Sequence, residues 1–163
     1  MNRKRQALID GLEQSGKEFT QCLAQFSEAE LHAVPAPNAW TIHQVAAHMR
    51  DVERYAFLVR AERIRKEEHP TVPNFDQEAW DREHYSVREP VKTISAEFRT
   101  ARRKLVRQLR QATDADWDNW AVHSTLGKIS LDWIASHCYY HTLEHIAQMG
   151  YAHEKTILQK LNA

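Results

Sequence analysis

Glycine and proline are so scarce in this chain, four and five among 163 residues, that long stretches are left free to form helices. Those stretches carry helical period. Leu8, Leu12, Phe19, Leu23 and Phe26 recur at helical spacing and predict a first helix of about 20 residues. Ser27-Glu-Ala-Glu30 is a capping box that opens a short helical turn, and Pro35 and Pro37 then break the chain into a loop ending at Trp40. Thr41-Ile-His-Gln44 is a second capping box. It predicts a long helix to Lys66, with Val45, His48, Val52, Tyr55, Ala56 and Val59 on one face. Residues 70–90 are polar and aromatic and read as a crossover with a short helix around Asp76 to His84.

Val91, Ile94, Phe98, Ala101, Leu105, Leu109 and Ala112 define a third long helix, whose outer face would hold Arg99, Arg102, Arg103, Lys104, Arg107 and Arg110. The last helix opens near Ser130, carries Leu131, Ile134, His137, Tyr140, His141, His145 and Met149, and is expected to stop at Gly150. No strand alternation of useful length interrupts the pattern. The predicted fold is all-α: a single domain over residues 1–163, built as a four-helix bundle with a long crossover between helices 2 and 3. A weak internal repeat accompanies it. Ser27–Leu31 resembles Thr113–Trp117, and Thr41–His48 resembles Ser130–His137, which suggests two helical hairpins related by a pseudo-dyad.

The 22 basic and 22 acidic side chains cancel, so no whole-molecule field draws the chain to nucleic acid or to an anionic membrane. The arginine-rich stretch from Arg99 to Arg110 lacks aromatic partners and reads as a solvated helix face. The basic start, Met-Asn-Arg-Lys-Arg, has no apolar segment behind it, and no run reaches the ~20 apolar residues of a membrane span. Cys22 and Cys138 form no CxxC pair and read as free thiols. A cytoplasmic location is the expectation.

Ten histidines are many for a chain of this length, and three of them form an unbroken ladder, His137, His141 and His145. Residues four apart share a helix face, so two adjacent imidazoles can turn a nitrogen to one ion. The full ladder spans about 12 Å, too far for all three to share it comfortably. Two neighbours would coordinate, with His48 facing inward from the second helix as the source of a third ligand. From geometry alone the pair could be either end of the ladder, and the internal repeat, which aligns His48 with His137, does not choose His141 and His145.

Trp40-Thr-Ile-His-Gln-Val-Ala-Ala-His48-Met-Arg-Asp-Val-Glu53 resembles the opening of the second helix in the DinB/YfiT-like family. His141-Thr-Leu-Glu-His145-Ile-Ala-Gln148 resembles that family's HxxxHxxQ element. The likeness covers essentially the whole chain, including Phe75-Asp-Gln-Glu-Ala-Trp80 in the crossover; Met49 and Met149 stand where the family usually has Leu and Ile. The resemblance implies a divalent ion, zinc or nickel, on His48, His141 and His145, with His137 as a neighbour. It also implies a metal-dependent enzyme acting on a small-molecule substrate, either a hydrolase or a transferase or isomerase using a low-molecular-weight thiol, and a homodimer. The rival expectation is a non-catalytic, metal-stabilised stress or binding protein or a dimerisation module. No general base stands out. Glu144 points about 100° away from His145, Asp51 is better placed than Glu53, and all three carboxylates suit solvation or helix pairing.

Overall fold

Capping side chains decide where the helices begin. In a computed structural model, which describes residues 2–162, Asn2 caps α1 (Arg3–Leu23), and the Ser27 capping box opens α2 (Glu28–Leu31). The Thr41 box opens α3 (Ile42–Val52). A π-helical turn over Glu53–Phe57 joins α3 without a break to α4 (Leu58–Lys66). After β1 (Thr71–Val72) the crossover carries α5 (Gln77–His84), capped by Asp76. Then follow α6 (Val91–Arg110), a third capping box at Thr113 with α7 (Asp114–Asp118), the hairpin β2 (Trp120–His123) and β3 (Gly127–Ser130), and α8 (Leu131–Leu161).

The four long helices form the bundle, but not as two sequential hairpins. α1 packs chiefly on α6 and α8, and α3 likewise packs on α6 and α8, so the first and second long helices stand diagonally opposite. The segment around α2 is long enough to carry the chain across, which removes the pairing that the internal repeat suggests.

Three further expectations change. The last helix does not stop at Gly150 but runs on for a total of 31 residues. Met149, Ala152 and Thr156 continue its buried face, and that packing outweighs the ~1 kcal/mol cost of a glycine in a helix. The inward face of the second long helix also shifts. Val59 and Tyr55 are exposed, whereas Ala56, Phe57, Arg60, Ala61 and Ile64 are buried. The extra residue per turn in the π segment turns the stripe, which helical period cannot foresee. Finally, a three-stranded sheet in the order β1-β2-β3 is present. Its strands are two to four residues long, below what alternation can reveal. β1 runs parallel to β2, pairing Val72 with His123, and β2 runs antiparallel to β3. Gly127 takes φ +76° at the hairpin, a conformation that favours glycine.

The sheet ties the start of the crossover to the segment before α8. His43 secures its far end, meeting the Tyr85 hydroxyl at 2.9 Å and the Glu89 carbonyl at 2.8 Å, and Arg50 reaches the Glu89 carboxylate at 2.7 Å.

The core is divided. One apolar cluster holds Ile9, Leu12, Phe57, Leu105, Ile134 and their neighbours; the other holds Phe19, Val45, Met49, Phe98, Met149 and theirs. Between them every long helix contributes a buried polar residue: Ser15, Glu53, Arg102 and Thr142. Arg102, expected on the outer face, is 3% exposed. It donates to Glu53 at 2.6 and 2.9 Å, to the Leu12 carbonyl at 2.8 Å and to Thr142 at 2.9 Å. Gly16 permits the approach, because a Cβ there would lie 3.0 Å from Arg102 Cγ and Nη1. Among the described residues no helix is long and apolar enough to cross a membrane.

Candidate metal centre

The divided core brings histidines together beside its polar layer. His48, on the buried face of α3, meets His141 on α8 with 3.2 Å between their Nε2 atoms. One turn further along α8, His145 Nε2 also lies 3.2 Å from His141 Nε2. One nitrogen from each ring falls within 4.8 Å of the other two.

Each ring is uncharged at neutral pH for the same physical reason. Burial, followed by the nearby His145, holds His48 down at about 4. Burial and the two neighbouring rings push His141 lower still, and burial lowers His145. Neutral imidazoles have a lone pair to offer. His145 Nδ1 donates to Gln148 Oε1 at 2.6 Å. An amide oxygen only accepts, so the ring proton sits on Nδ1 and the Nε2 lone pair faces the other two rings.

The three side chains suit a metal ion. Nitrogens at ~2.0–2.1 Å from a tetrahedral ion lie about 3.3 Å apart, close to the two spacings of 3.2 Å. Without an ion the cluster is poorly satisfied. His141 Nε2 has a single position to share between two rings, while His48 Nδ1 and His141 Nδ1 are buried with no partner. Gln77, from the crossover, stands beside His48 and has an unsatisfied carbonyl oxygen of its own. Trp40 packs 5.1 Å from the His48 ring, and Phe57 packs 5.7 Å from His141.

His137 is not in this group. It is exposed, stacks on Trp133 with 4.6 Å between centroids, and stays 5.9 Å from the His141 ring. The carboxylates considered from sequence are engaged elsewhere or face solvent: Asp51 with Arg50, Glu53 with Arg102, Glu144 exposed. Cys138 is fully buried beside Arg102 and Glu53, and burial raises its thiol well above the ordinary range.

The sequence profile of the DinB superfamily matches residues 11–149. The chain belongs to the DinB superfamily. That span includes both histidine-bearing helices and the crossover between them. Among solved structures the chain is similar to YfiT from Bacillus subtilis, described as "a probable metal-dependent hydrolase with an unusual four-helix bundle topology". The TM-score is 0.85 at 20% identity, over 96% of this chain and 90% of that one. The diagonal placement of α1 and α3 thus belongs to a fold seen in another DinB-like protein. No curated protein matches this chain.

Side chains that sequence reasoning did not place around this cluster are Gln77, Phe57 and, in the polar layer beside it, Arg102. Gln77 lies in a crossover whose path local sequence does not specify, and Phe57 is turned inward by the π segment. Arg102 had a signal available: it occupies the same helical stripe as Phe98, Leu105 and Leu109.

Proposed function

We propose that this protein is a metal-dependent enzyme that binds one divalent ion, zinc or nickel, through Nε2 of His48, His141 and His145 and acts on a small electrophilic substrate. The observation that carries this reading is the convergence of three neutral imidazoles whose Nε2 atoms stand 3.2 Å apart from His48 to His141 and from His141 to His145, with no carboxylate in the cluster among the described residues. Three protein ligands leave a coordination position for a reactant, the usual arrangement of a catalytic zinc site. A divalent ion there supplies a Lewis acid that makes water, or a low-molecular-weight thiol, a nucleophile at neutral pH.

The chain's own residues do the rest. Gln148 fixes the tautomer and tilt of His145. Trp40 and Phe57 wall the rings with apolar surface, which strengthens electrostatic interactions at the site. Hydrolysis and thiol transfer both fit this arrangement, and YfiT's description favours hydrolysis. The reading includes a homodimer, supported by Tyr140, Tyr151 and Leu161 exposed along α8, and no nucleic-acid or membrane partner, in keeping with the net charge of zero.

Elemental analysis of purified protein tests the site: about one equivalent of zinc or nickel is expected in the wild type and almost none in His141→Ala. Turnover of model esters, amides and thiol-reactive electrophiles, lost with EDTA and restored by the metal, tests the enzyme. Bound metal with no turnover of any of them would favour a metal-stabilised binding protein.

A further inference from the structure

Among the described residues three arginines are buried, and two are neutralised. Arg50 is held by Asp51, Glu89 and Glu97, and Arg102 by Glu53. Arg60, 8% exposed, has no carboxylate within 4 Å among the described residues. Its one protein hydrogen bond is a 3.3 Å contact from Nη2 to the Pro73 carbonyl. Burial alone depresses its pKa, with no opposing partner. A buried guanidinium is unfavourable without a counter-charge, so its unused donors point to a ligand that brings the negative charge.

The surroundings are built in the same sense. Pro73 follows Val72, which pairs with His123 across the sheet. His123 is 2% exposed. Its Nδ1 accepts from the amides of Thr125 and Leu126, at 3.2 and 3.4 Å, which leaves the proton on Nε2. That N–H is buried and has no partner. Arg60 bonds the carbonyl of the residue that follows Val72, and Val72 pairs with His123 and accepts from the Ser124 amide, so the β1–β2 pairing brings the two side chains to the same end of the sheet. Burial and then the charge of Arg60 lower the pKa of His123. Thus a buried imidazole N–H without a partner, on β2, and a guanidinium with one protein hydrogen bond and no carboxylate, on α4, lie at the start of the crossover. Arg60 is also one turn beyond Phe57, whose ring touches both His137 and His141 at 5.7 Å.

We propose that Arg60 and His123 form an oxyanion subsite next to the three-histidine centre, which takes the carboxylate or phosphate group of a small ligand whose reactive end reaches the histidines. Placing the reactive end rests on the metal centre proposed above; the subsite itself does not. The pairing is chemically ordinary: a guanidinium presents two parallel N–H donors to two oxygens, and a neutral imidazole N–H adds a third.

The test uses metal-free protein in EDTA, titrated separately with inorganic phosphate and with acetate and followed by NMR of the histidine ring resonances. A saturable shift of His123 with either anion is expected in the wild type. Arg60→Gln should weaken that binding about tenfold or more, and Arg60→Lys should weaken it less. Without anion, Arg60→Gln should melt at or above the wild-type temperature, because it removes an unpaired charge; Arg102→Gln should melt well below it. In the zinc-loaded protein, mono-p-nitrophenyl succinate should be turned over in preference to p-nitrophenyl acetate, and Arg60→Gln should erase the preference. No saturable shift with either anion, or equal affinity in the Arg60 variants, would overturn the subsite. Zinc retained by His141→Ala would instead overturn the metal centre and leave the anion titration standing.

Discussion

Arg102 and Glu53 close on each other through hydrogen bonds of 2.6 and 2.9 Å at the level where all four long helices pass from one apolar cluster to the other. The pair fixes more than charge. Arg102 also holds Thr142, the residue after His141, so the register of α8 against α3 is set one residue from the histidine cluster. Removing one partner leaves the other charged and buried. Glu53→Gln is therefore expected to lower stability by about 3–5 kcal/mol, measured by urea unfolding, and to weaken zinc binding even where the protein still folds.

The hydrogen bond from His145 Nδ1 to Gln148 predicts a different pattern. Gln148→Ala removes the group that sets the tautomer but leaves all three Nε2 ligands in place. Zinc affinity should fall by about 10–100-fold, with little change in metal-free stability. A competition titration against a chromophoric chelator reads this directly.

Protonation of the cluster makes the metal-free protein acid-sensitive. An unfolded histidine titrates near 6.5, whereas folded His48 stays neutral down to about 4 and His141 further. Above 6.5 neither state binds the proton and these groups contribute no pH dependence. Below it the unfolded chain gains protons that the folded one cannot, so stability falls as pH falls. The slope is about 1.4 kcal/mol per pH unit for each such histidine. Unfolding in EDTA between pH 6.5 and 4.5 should show a shallower slope in His141→Gln than in the wild type.

Two glycines in helices should respond with opposite sign. Gly150 is exposed within α8 with nothing near its missing Cβ, so Gly150→Ala should stabilise by about 0.5–1 kcal/mol. Gly16 faces Arg102, which its own hydrogen bonds hold still. Gly16→Ala should destabilise by about 1–3 kcal/mol, as overpacking of a fixed neighbour does. Thermal unfolding of both variants, at matched metal content, is the measurement.

The sequence by itself determined the helices and their starts. Thr41, Ser27 and Thr113 cap where their hydroxyls and the acid or amide three residues on permit, because capping is a contact within one turn. It also carried the histidine spacing on α8 and the inward placement of His48, since both follow from helical period. Which rungs of the ladder meet His48 was not local information. That depends on the register between α3 and α8, set by Arg102 bridging Glu53 and Thr142. Nor could period show the π turn that moves Phe57 inward and Val59 outward, or the short strands that place His123 near Arg60. Only the tertiary structure decided these, because each is fixed by contacts between residues far apart in the chain, where helical periodicity carries no information.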